Sequence, residues 1–564
     1  MLYRPQEESV AVRDRLGELL ADARDACLHR ATAARDLLVD LGELEAGVAD
    51  DLFEGADGSN DVAHSWRRTA VAAGALLSAT LARNIDEARR RRDRLVAHIE
   101  ALAGSTLPRH ARIRPAEGYA HYGLFPEQYA AAAADAYAAL RPTRAVVVGL
   151  RSIGTSLSAI VSATLEDRGC AVLPLTVRPR GHPFDRDVSL APELAAELAR
   201  RADDLFLVVD EGPGLSGSSL TGAARAIVAL GVPDERVVLL PSWMPHAPFV
   251  SERAREQWRR HRKFTAPFEP AWVSGLEPPF EDLSAGAWRR HFCTGAAYPP
   301  VQPQHERRKY LVRRDGAAIL FKFTAIGRRG RAARRRAEAI ADAGWGAIVR
   351  ELRDGFLAFE LDAGAPQTIA DVDASWLDAI ARYLAFVRRT FHATTPTAPE
   401  TLAEMARVNV REALGDAGER RVDRMRLELA SPVQGDARML PHEWLRGARG
   451  FVKADGVDHA SDHFYPGPTD VAWDLAGAIA ELHLDTTAAD ALVERYARAS
   501  GDNPRRRLPA YEVAYLAFRS RYAATTAMAL AGSPEGDAFA ALTARYRRDL
   551  TRALARLPPV GSRA

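Results

Sequence analysis

Lysine is almost absent from this chain. Lysine and arginine together number 76, and all but four of these residues are arginine. The lysines are Lys263, Lys309, Lys322 and Lys453. An ammonium is a compact point charge, whereas a guanidinium is planar, so the two are not interchangeable where a cation is buried or binds phosphate. Retention of lysine at these positions indicates that some of them need the ammonium.

Cysteine, long apolar runs and net charge are also scarce. The three cysteines show no CxxC spacing, which excludes a disulfide framework and a cysteine zinc site. No run of about eighteen apolar residues occurs, and the first residues contain no apolar signal segment. The formal net charge of +2 provides no general field for nucleic acid or an anionic membrane. We therefore expect a cytoplasmic protein that binds small molecules and neither spans a membrane nor binds nucleic acid, and the oligomeric state stays open.

The periodicity of apolar residues divides the 564-residue chain into three parts. Residues 1–105 read as a helical N-terminal region. Over residues 106–305, short apolar strands alternate with helices, which predicts a doubly wound parallel sheet, followed from 245 by an irregular extension. Residues 306–564 begin with a hairpin around Asp315 and are then mostly helical. The predicted fold class is multi-domain, α/β and α+β.

The stretch LFLVVDEGPGLSGSSLTGAARAIVALG, residues 205–231, carries the first candidate site. A buried strand ends at two acids, Asp210 and Glu211, and a glycine- and serine-rich loop then enters a helix. Ligands of such sheets bind beyond the carboxyl ends of the strands, where a helix N-terminus offers N–H groups to an anion. The residues assigned to phosphate binding are Ser216, Gly217, Ser218 and Ser219. The acids suit the vicinal hydroxyls of a sugar, and the loop has neither GxxxxGK[ST] nor GxGxxG spacing.

This combination resembles the signature of the type I phosphoribosyltransferase family, over about residues 106–245. The loop differs by one extra residue within Gly212–Leu215. Two further loops follow strands in the family's order, RSIGTS at 151–156 and RPRGHP at 178–183. The resemblance implies Mg²⁺-dependent transfer of ribose 5-phosphate between pyrophosphate and a base, with phosphoribosyl pyrophosphate as substrate. It implies Asp210 and Glu211 as catalytic acids and the following pyrophosphate-binding residues: Arg151, Ser152, Gly154, Arg178 and Arg180. The alternative is that the two acids only cap the following turn.

Aromatic residues precede this sheet in PAEGYAHYGLFPEQY, residues 115–129. They are Tyr119, Tyr122, Phe125 and Tyr129. Such side chains either stack a nucleobase-like ring or pack the connection onto the sheet, and the sequence leaves both interpretations open.

The C-terminal part carries a second set of motifs. Lys322 lies on the second strand of the predicted hairpin and Glu338 on the following helix, and a strand lysine paired with a helix glutamate positions nucleotide phosphates in kinases. The segment SPVQGDARMLPHEWL, 431–445, resembles the HGDxxxxN loop of the aminoglycoside phosphotransferase family, which implies Asp436 as the catalytic base. The resemblance also implies a metal-binding acid after the strand in GFVKADGVDH, 450–459, which is Asp455 by strand register, with Asp458 as its rival.

The second motif set departs from that family in two ways. Pro441 stands where the family has its metal-binding asparagine, so the adjacent His442 becomes the candidate replacement ligand. No glycine-rich loop precedes Lys322. Further along, Asp474 opens a helix and would brace the catalytic loop. The resemblance implies ATP and Mg²⁺ as cofactors of this half.

Together the motifs predict a bifunctional enzyme that joins phosphoribosyl transfer to ATP-dependent phosphotransfer on a base or nucleoside-like small molecule. Two alternatives stay open. The first site would bind phosphoribosyl pyrophosphate or a nucleotide as a sensor that regulates the kinase-like half, or that half would be a degenerate scaffold. The base, the phosphate acceptor and the direction of ribosyl transfer are not encoded in any motif.

Overall fold

In the computed structural model the chain combines helices, a parallel sheet and an antiparallel sheet, which confirms the predicted mixed class. The structure describes residues 7–182, 184–214, 216–245, 248–275, 280–293, 298–314, 316–361, 364–457, 459–462 and 464–557. Within these ranges no helix has both the length and the apolar composition that crossing a bilayer requires.

The N-terminal part is helical, as the periodicity predicts. Its elements are β1 (Glu8–Ala11), α1 (Val12–Arg24), α2 (Ala31–Leu52), α3 (Asp61–Leu81), α4 (Ile85–Gly104) and β2 (His110–Ile113). Strand β1 pairs antiparallel with β2. The boundary predicted between residues 105 and 106 therefore passes between two paired strands.

The parallel sheet lies in the following part of the chain. Its elements and their neighbours are α5 (Pro126–Leu140), β3 (Arg144–Leu150), α6 (Gly154–Glu166), β4 (Ala171–Val177), β5 (Arg180–His182), β6 (Asp185–Asp187), α7 (Pro192–Ala199), β7 (Leu205–Val209), α8 (Ser218–Val228), β8 (Val237–Leu240), α9 (Glu252–Arg260) and β9 (Arg262–Lys263). The strand order is β4-β3-β7-β8-β9, and β5 and β6 form a separate hairpin directly after β4. Because the order reverses between β3 and β7, the loops after these strands diverge and leave a crevice at their carboxyl ends.

Both faces of the parallel sheet are buried, which explains its near-continuous apolar strands. Along β3, Ala145 and Val147 belong to a core shared with the N-terminal helices, and Val146 and Val148 to a core shared with α7 and α8. Helices α2 and α3 pack against α6 on the first face. The N-terminal helices therefore cover the sheet and hold its loops from one side.

The antiparallel sheet begins before the predicted hairpin. Its elements and their neighbours are α10 (Ala271–Ser274), β10 (Phe280–Asp282), α11 (Arg289–Phe292), β11 (Lys309–Arg314), β12 (Ala317–Phe323), α12 (Gly327–Asp342), β13 (Val349–Arg353) and β14 (Phe356–Glu360). The strand order is β10-β11-β12-β14-β13. Strands β11 and β12 form the predicted hairpin, whose turn residue Asp315 lies outside the described residues. Strand β10 falls in the stretch interpreted as irregular, because a strand of this length leaves no alternation to detect.

The remaining residues form a mostly helical unit, as predicted. Its elements are β15 (Ala365–Pro366), α13 (Ala374–Thr390), α14 (Pro399–Val422), β16 (Pro432–Val433), β17 (Trp444–Gly447), β18 (Gly450–Lys453), β19 (Thr469–Asp470), α15 (Ala472–Glu481), α16 (Thr486–Ser500), α17 (Leu508–Ala529) and α18 (Pro534–Arg556). These helices share one apolar core that includes Trp376, Trp444 and Trp473. Strands β17 and β18 form a hairpin, and Arg336 of helix α12 contacts the loop that follows it.

An acidic face of α2 binds the first turn of α12. The carboxylate of Asp36 accepts the backbone N–H of Gly327 at 3.1 Å, and Asp40 accepts that of Arg328 at 3.0 Å. The Arg331 guanidinium lies 3.1 Å from Asp36 and 3.0 Å from Asp40. Carboxylates at a helix N-terminus are favoured by its unpaired N–H groups and its dipole. The arginine-rich start of α12 therefore binds the N-terminal helices at these positions.

Two glycines provide a test of how α3 packs on α6. A Cβ added at Gly74 would lie 2.9 Å from the Ala159 carbonyl oxygen and the Ile160 Cα, both backbone atoms, whereas Gly17 on α1 has nothing within 4 Å. We expect Gly74→Ala to destabilise the fold by about 1–3 kcal/mol, since the helices must separate. Gly17→Ala, the control, should stabilise by about 0.5–1 kcal/mol because alanine favours helix. Melting temperatures that rise in both variants would contradict the close α3–α6 contact.

Candidate functional site

The loop after β7 holds the predicted acids and phosphate-binding residues together at the start of α8. Asp210 and Glu211 are partly exposed, and the Ser216 hydroxyl lies 3.0 Å from that of Ser218, whose backbone N–H it also accepts at 3.3 Å. Gly217 has φ of 60°, and a Cβ there would lie 2.6 Å from the ring of Phe249. Glycine is therefore required at this position. The loop directs serine hydroxyls and the N-terminus of α8 to one place, an arrangement suited to an anion.

The two acids are strongly desolvated. Burial raises the pKa of Asp210 to about 7, against the opposing effects of the Glu211 backbone N–H and the cation of Arg186. Burial also raises the pKa of Glu211 well above its usual range, and the neighbouring carboxylates of Glu117 and Asp210 add to this effect. Carboxyl groups with strongly raised pKa values cluster at functional sites, which makes Asp210 and Glu211 candidates for one.

A π-helical turn, Gly118–Tyr122, forms one wall of this site and also contacts the antiparallel-sheet half. The Gly118 N–H donates to Glu211 Oε2 at 2.9 Å. On the other side, the Tyr119 carbonyl accepts the N–H of Ile326 at 3.0 Å, and the Ala120 carbonyl accepts from the Arg307 guanidinium at 2.6 Å. Backbone groups of this turn therefore join the acid pair to residues around β12 and α12.

The aromatic residues of this region separate into two groups. Tyr119, Phe125 and Tyr129 are buried at 1–2% exposure, and the Tyr129 hydroxyl donates to the Asp210 carbonyl at 2.7 Å. For these three the packing interpretation holds. Tyr122 is partly exposed, and burial together with the carboxylates of Glu117 and Glu211 raises its pKa, so for this residue both interpretations stay open.

The loop after β3 has the tight geometry that an anion-binding loop needs. Ser152 has φ of 139°, a left-handed conformation that costs a non-glycine residue on the order of 1–3 kcal/mol and occurs mainly at functional sites. A Cβ at Gly154 would lie 2.6 Å from the carbonyl oxygen of Val209, the last residue of β7. The loop thus lies directly beside the acid pair, across the reversal of strand order.

The three arginines assigned to pyrophosphate point towards carboxylates of the N-terminal region. Arg151 is buried and bonded to Asp57, which is itself buried, and its Nε lies 2.9 Å from Asp50. Arg178 pairs with Asp50, and Arg180 Nη1 lies 3.1 Å from Asp57. An incoming pyrophosphate would compete with two resident carboxylates for these cations, and their role as pyrophosphate ligands stays a prediction.

Arg186, which the sequence analysis missed, is a basic residue whose charge acts on Asp210 and whose guanidinium contacts the start of α8. On β6, it donates from Nη1 to the Ser219 hydroxyl at 3.1 Å, and its charge opposes the rise in the pKa of Asp210. It follows the predicted basic stretch 178–183 by three residues. Extending that stretch to the end of the hairpin would have found it.

The second candidate site joins β12 to the loop after β18. The Lys322 ammonium forms an ion pair with Asp455, whose side chain is 24% exposed. Glu338 does not take part: it faces outward on α12 and pairs with Arg334 at 2.7 Å. The rival acid Asp458 lies outside the described residues. The structure therefore brings Lys322 and Asp455 together and leaves Glu338 apart from both.

Backbone contacts fix the loop that carries Asp436. The Asp474 carboxylate accepts the N–H groups of Asp436 and Ala437, each at 2.8 Å. Ala437 has φ of 69°, a second strained non-glycine conformation. Arg336 of α12 donates to the carbonyls of Gly435 and Gly456 at 2.8 and 2.9 Å. Helix α12 therefore binds both the Asp436 loop and the Asp455 loop through one side chain, Arg336.

The Asp436 side chain is fully buried. The Tyr383 hydroxyl donates to Asp436 Oδ2 at 2.7 Å, and the Lys453 ammonium lies 3.1 Å from Oδ1. Burial raises the pKa of Asp436, and the positive charge of Lys453 opposes this rise. Burial alone would lower the pKa of Lys453, but the carboxylates of Asp436 and Glu443 outweigh it and raise that pKa.

Among the described residues, one set of side chains lies close enough to share a metal ion. Ligand atoms of Asp436, Glu443 and His459 fall within 4.8 Å of one another. Lys453 lies among them, 2.7 Å from Glu443, and His459 also lies 3.3 Å from Asp455. The cluster therefore continues through His459 to Asp455, which is the partner of Lys322.

His442 lies outside this cluster. Its ring stacks on Trp288, with centroids 5.4 Å apart and planes at 21°, and burial lowers its pKa. The Trp288 indole N–H donates to Glu306 at 3.0 Å. Trp288 and Glu306 lie in the connection between β10 and β11, and the ring contact with His442 brings Trp288 against the loop that follows Asp436.

Three residues of the charged cluster, Glu443, Lys453 and His459, received no role in the sequence analysis. Lys453 carried a signal, because a chain with four lysines keeps one here, next to a predicted metal-binding acid. Glu443 and His459 carried none: their proximity arises only when the β17–β18 hairpin and the following turn close on the Asp436 loop.

No protein-family model matches the chain, and no curated protein matches it. Among solved structures it is similar to a choline kinase from Streptococcus pneumoniae, with 15% identity, 43% of this chain and 89% of that chain covered and a TM-score of 0.33. It is also similar to a choline/ethanolamine kinase family protein from Mesorhizobium loti, with 14% identity, 51% of this chain and 94% of that chain covered and a TM-score of 0.33. A third similar structure is a spectinomycin phosphotransferase in complex with ADP and spectinomycin, with 11% identity, 47% of this chain and 92% of that chain covered and a TM-score of 0.32. At these values the likeness says nothing about the substrate or activity of this chain.

The raised pKa of Asp210 predicts an unusual dependence of stability on pH. The folded protein holds a proton on Asp210 up to about pH 7, whereas the unfolded chain releases it near pH 3.9, so stability falls as the pH rises between these values. Asp210→Asn removes this loss. We expect the variant to be more stable than the unaltered chain at pH 8, by up to about 4 kcal/mol, with a smaller gain at pH 5.

Melting temperatures at the two pH values test this expectation. Asp203→Asn, a change at an exposed acid, is the control and should leave the melting temperature unaltered at both. An equal gain for Asp210→Asn at pH 5 and pH 8 would contradict the raised pKa.

Proposed function

We propose that residues 280–557 form an ATP-dependent phosphotransferase that acts on a small molecule. The observation that carries this proposal is the Lys322–Asp455 ion pair, which joins the third strand of an antiparallel sheet to the loop after a C-terminal hairpin. In kinases a lysine on the third strand holds the nucleotide phosphates and the acid opposite it holds the metal. The strand order β10-β11-β12-β14-β13, with α12 after β12, supports the same assignment.

The donor set fits one divalent cation. The Asp455 carboxylate contacts Lys322 and is partly exposed to solvent. Mg²⁺ usually binds one or two carboxylates together with substrate phosphate oxygens. When bound, Mg²⁺ would neutralise charge on the transferred phosphoryl group. Lys322 would hold the phosphates in position, and Asp474 and Arg336 would keep the Asp436 loop beside them through their backbone contacts.

Two candidate functions of this half, phosphotransfer and nucleotide binding without turnover, differ in the role they give to Asp436. As a base it would accept the proton of the acceptor hydroxyl, but here it is buried against Tyr383 and Lys453. Gly456 lies over it: a Cβ there would be 3.3 Å from Asp436 Oδ2. Turnover therefore requires the 455–457 loop to open. The second candidate, which this burial favours, is a half that binds nucleotide without turnover and serves as a scaffold.

For the parallel-sheet half we propose a site for a ribose 5-phosphate group. Support comes from the serine and glycine loop at the start of α8, the desolvated acids beside it and Arg186 on the hairpin above. The phosphate would occupy the loop, and the acids would accept hydrogen bonds from the ribose hydroxyls. Phosphoribosyl pyrophosphate with Mg²⁺ is the proposed substrate and a base the proposed acceptor. The alternative is a sensor that binds phosphoribosyl pyrophosphate or a nucleotide and regulates the other half.

Substitution of Lys322 tests the phosphotransferase proposal. Lys322→Met should weaken ATP binding at least about 10-fold, because a charge-assisted hydrogen bond to phosphate contributes about 1.5–3 kcal/mol. Lys263→Met is the matched control, since Lys263 lies on β9 with its ammonium 5.1 Å from the ring centre of Trp258. Calorimetric titration with ATP and Mg²⁺ measures both variants. Equal ATP affinity in the Lys322 variant and the unaltered chain would rule out the assignment of Lys322.

The ribose 5-phosphate proposal has its own test. Phosphoribosyl pyrophosphate with Mg²⁺ should bind the unaltered chain, and Asp210→Asn with Glu211→Gln should weaken binding at least about 10-fold while ATP affinity stays the same. Asp203→Asn again serves as the control. If phosphoribosyl pyrophosphate does not bind the unaltered chain but a nucleotide 5′-monophosphate does, the sensor alternative replaces ribosyl transfer.

A further inference from the structure

Lys453 is a buried cation at the position where a second metal ion would be expected. Its side chain is 0% exposed, and its ammonium lies 3.1 Å from Asp436 Oδ1 and 2.7 Å from Glu443 Oε2. It also donates to the Asp455 carbonyl at 3.3 Å. Kinases of this kind hold two Mg²⁺ ions, one on the strand-loop acid and one on an asparagine of the catalytic loop. Here Pro441 replaces that asparagine.

The backbone fixes Lys453 in this place. It is the last residue of β18 and pairs with Trp444 of β17, so the hairpin directs it at the loop that carries Asp436 and Glu443. The Lys453 N–H donates to the Trp345 carbonyl at 2.7 Å, and the next N–H, that of Ala454, donates to the Glu443 carbonyl at 2.7 Å. The ammonium is therefore held between the two carboxylates by the hairpin itself.

A divalent cation does not fit among Asp436, Glu443 and His459 while Lys453 is present. The ammonium already occupies hydrogen-bonding distance to two of the three ligands, and Mg²⁺ needs an octahedral set that usually includes several waters. Asp436 and Lys453 have no exposed side-chain surface to admit them. Loss of this cation would leave two buried carboxylates uncompensated, and a compact ammonium fits between them where a planar guanidinium would need more room.

We propose that Lys453 is a resident counter-ion that replaces the second metal ion, so that this half loads one divalent cation, at Asp455. The inference rests on the phosphotransferase assignment for its context. Its consequence is specific: the carboxylates of Asp436 and Glu443 are neutralised within the chain, and metal loading involves only the partly exposed acid that faces Lys322.

Counting bound Mn²⁺ tests this proposal without any measurement of activity. The chain carries Asp210→Asn and Glu211→Gln so that the other half does not contribute, and electron paramagnetic resonance titrates free Mn²⁺. We expect one bound Mn²⁺, lost on Asp455→Asn and kept on Glu443→Gln. We expect Lys453→Met to bind one Mn²⁺ more, because Asp436, Glu443 and His459 then become free to share it. The added ion should disappear again in the Lys453→Met, Glu443→Gln double variant.

The outcomes are distinct. Two Mn²⁺ ions on the starting chain, or loss of an ion on Glu443→Gln, would overturn the proposal even if Lys453→Met does not fold. A folded Lys453→Met variant that gains no ion would overturn it as well. ATP affinity, measured separately with Lys322→Met, decides the phosphotransferase assignment, so failure of either proposal can be told from failure of the other.

Discussion

Buried and partly buried carboxylates of helix α2 bind segments of both the parallel-sheet half and the antiparallel-sheet half. Asp36 and Asp40 receive the N-terminus of α12, which in turn holds the Asp436 and Asp455 loops through Arg336. Ten residues after Asp40, nearly three turns further along the helix, Asp50 pairs with Arg151 and Arg178 from the parallel-sheet loops. These carboxylates are buried or partly buried, so removal of one would leave its partner cation without a counter-charge in a desolvated place. A single helix therefore positions loops of both halves.

The two candidate sites follow the same physical plan. Each has carboxyl groups whose pKa values are raised by burial, and each has a non-glycine residue in a strained conformation beside them, Ser152 in one and Ala437 in the other. Strain and uncompensated desolvation persist only where the surrounding structure over-determines them. They differ in how charge is balanced: the first acid pair has Arg186 nearby, whereas Asp436 has a lysine in direct contact.

Local patterns were sufficient to predict the parallel sheet, the hairpin β11–β12 and the helical parts, because alternation and helical spacing are encoded within short windows. They also singled out Asp210 with its loop, Lys322 and Asp455 as candidates, but the partner expected for Lys322 was Glu338, whereas the structure pairs Lys322 with Asp455. The partners of Arg151 and Arg178 were not predictable, since Asp50 lies about a hundred residues earlier and no window contains both. Glu338 was misplaced because helical phase alone does not say which face meets the sheet.

The turn Gly118–Tyr122 has a thermodynamic consequence. The Gly118 N–H donates to Glu211, and the carbonyls of Tyr119 and Ala120 accept from Ile326 and Arg307. Ile326 and Arg307 lie in the chain on either side of β12, the strand that carries Lys322. A ligand that draws Glu211 away changes the energy of a segment that the other half also binds. By linkage, if the ribose phosphate proposed for one site changes nucleotide affinity at the other through this segment, the nucleotide changes ribose phosphate affinity by the same factor. The segment is thus a contact that both candidate sites share, and coupling through it would act equally in both directions.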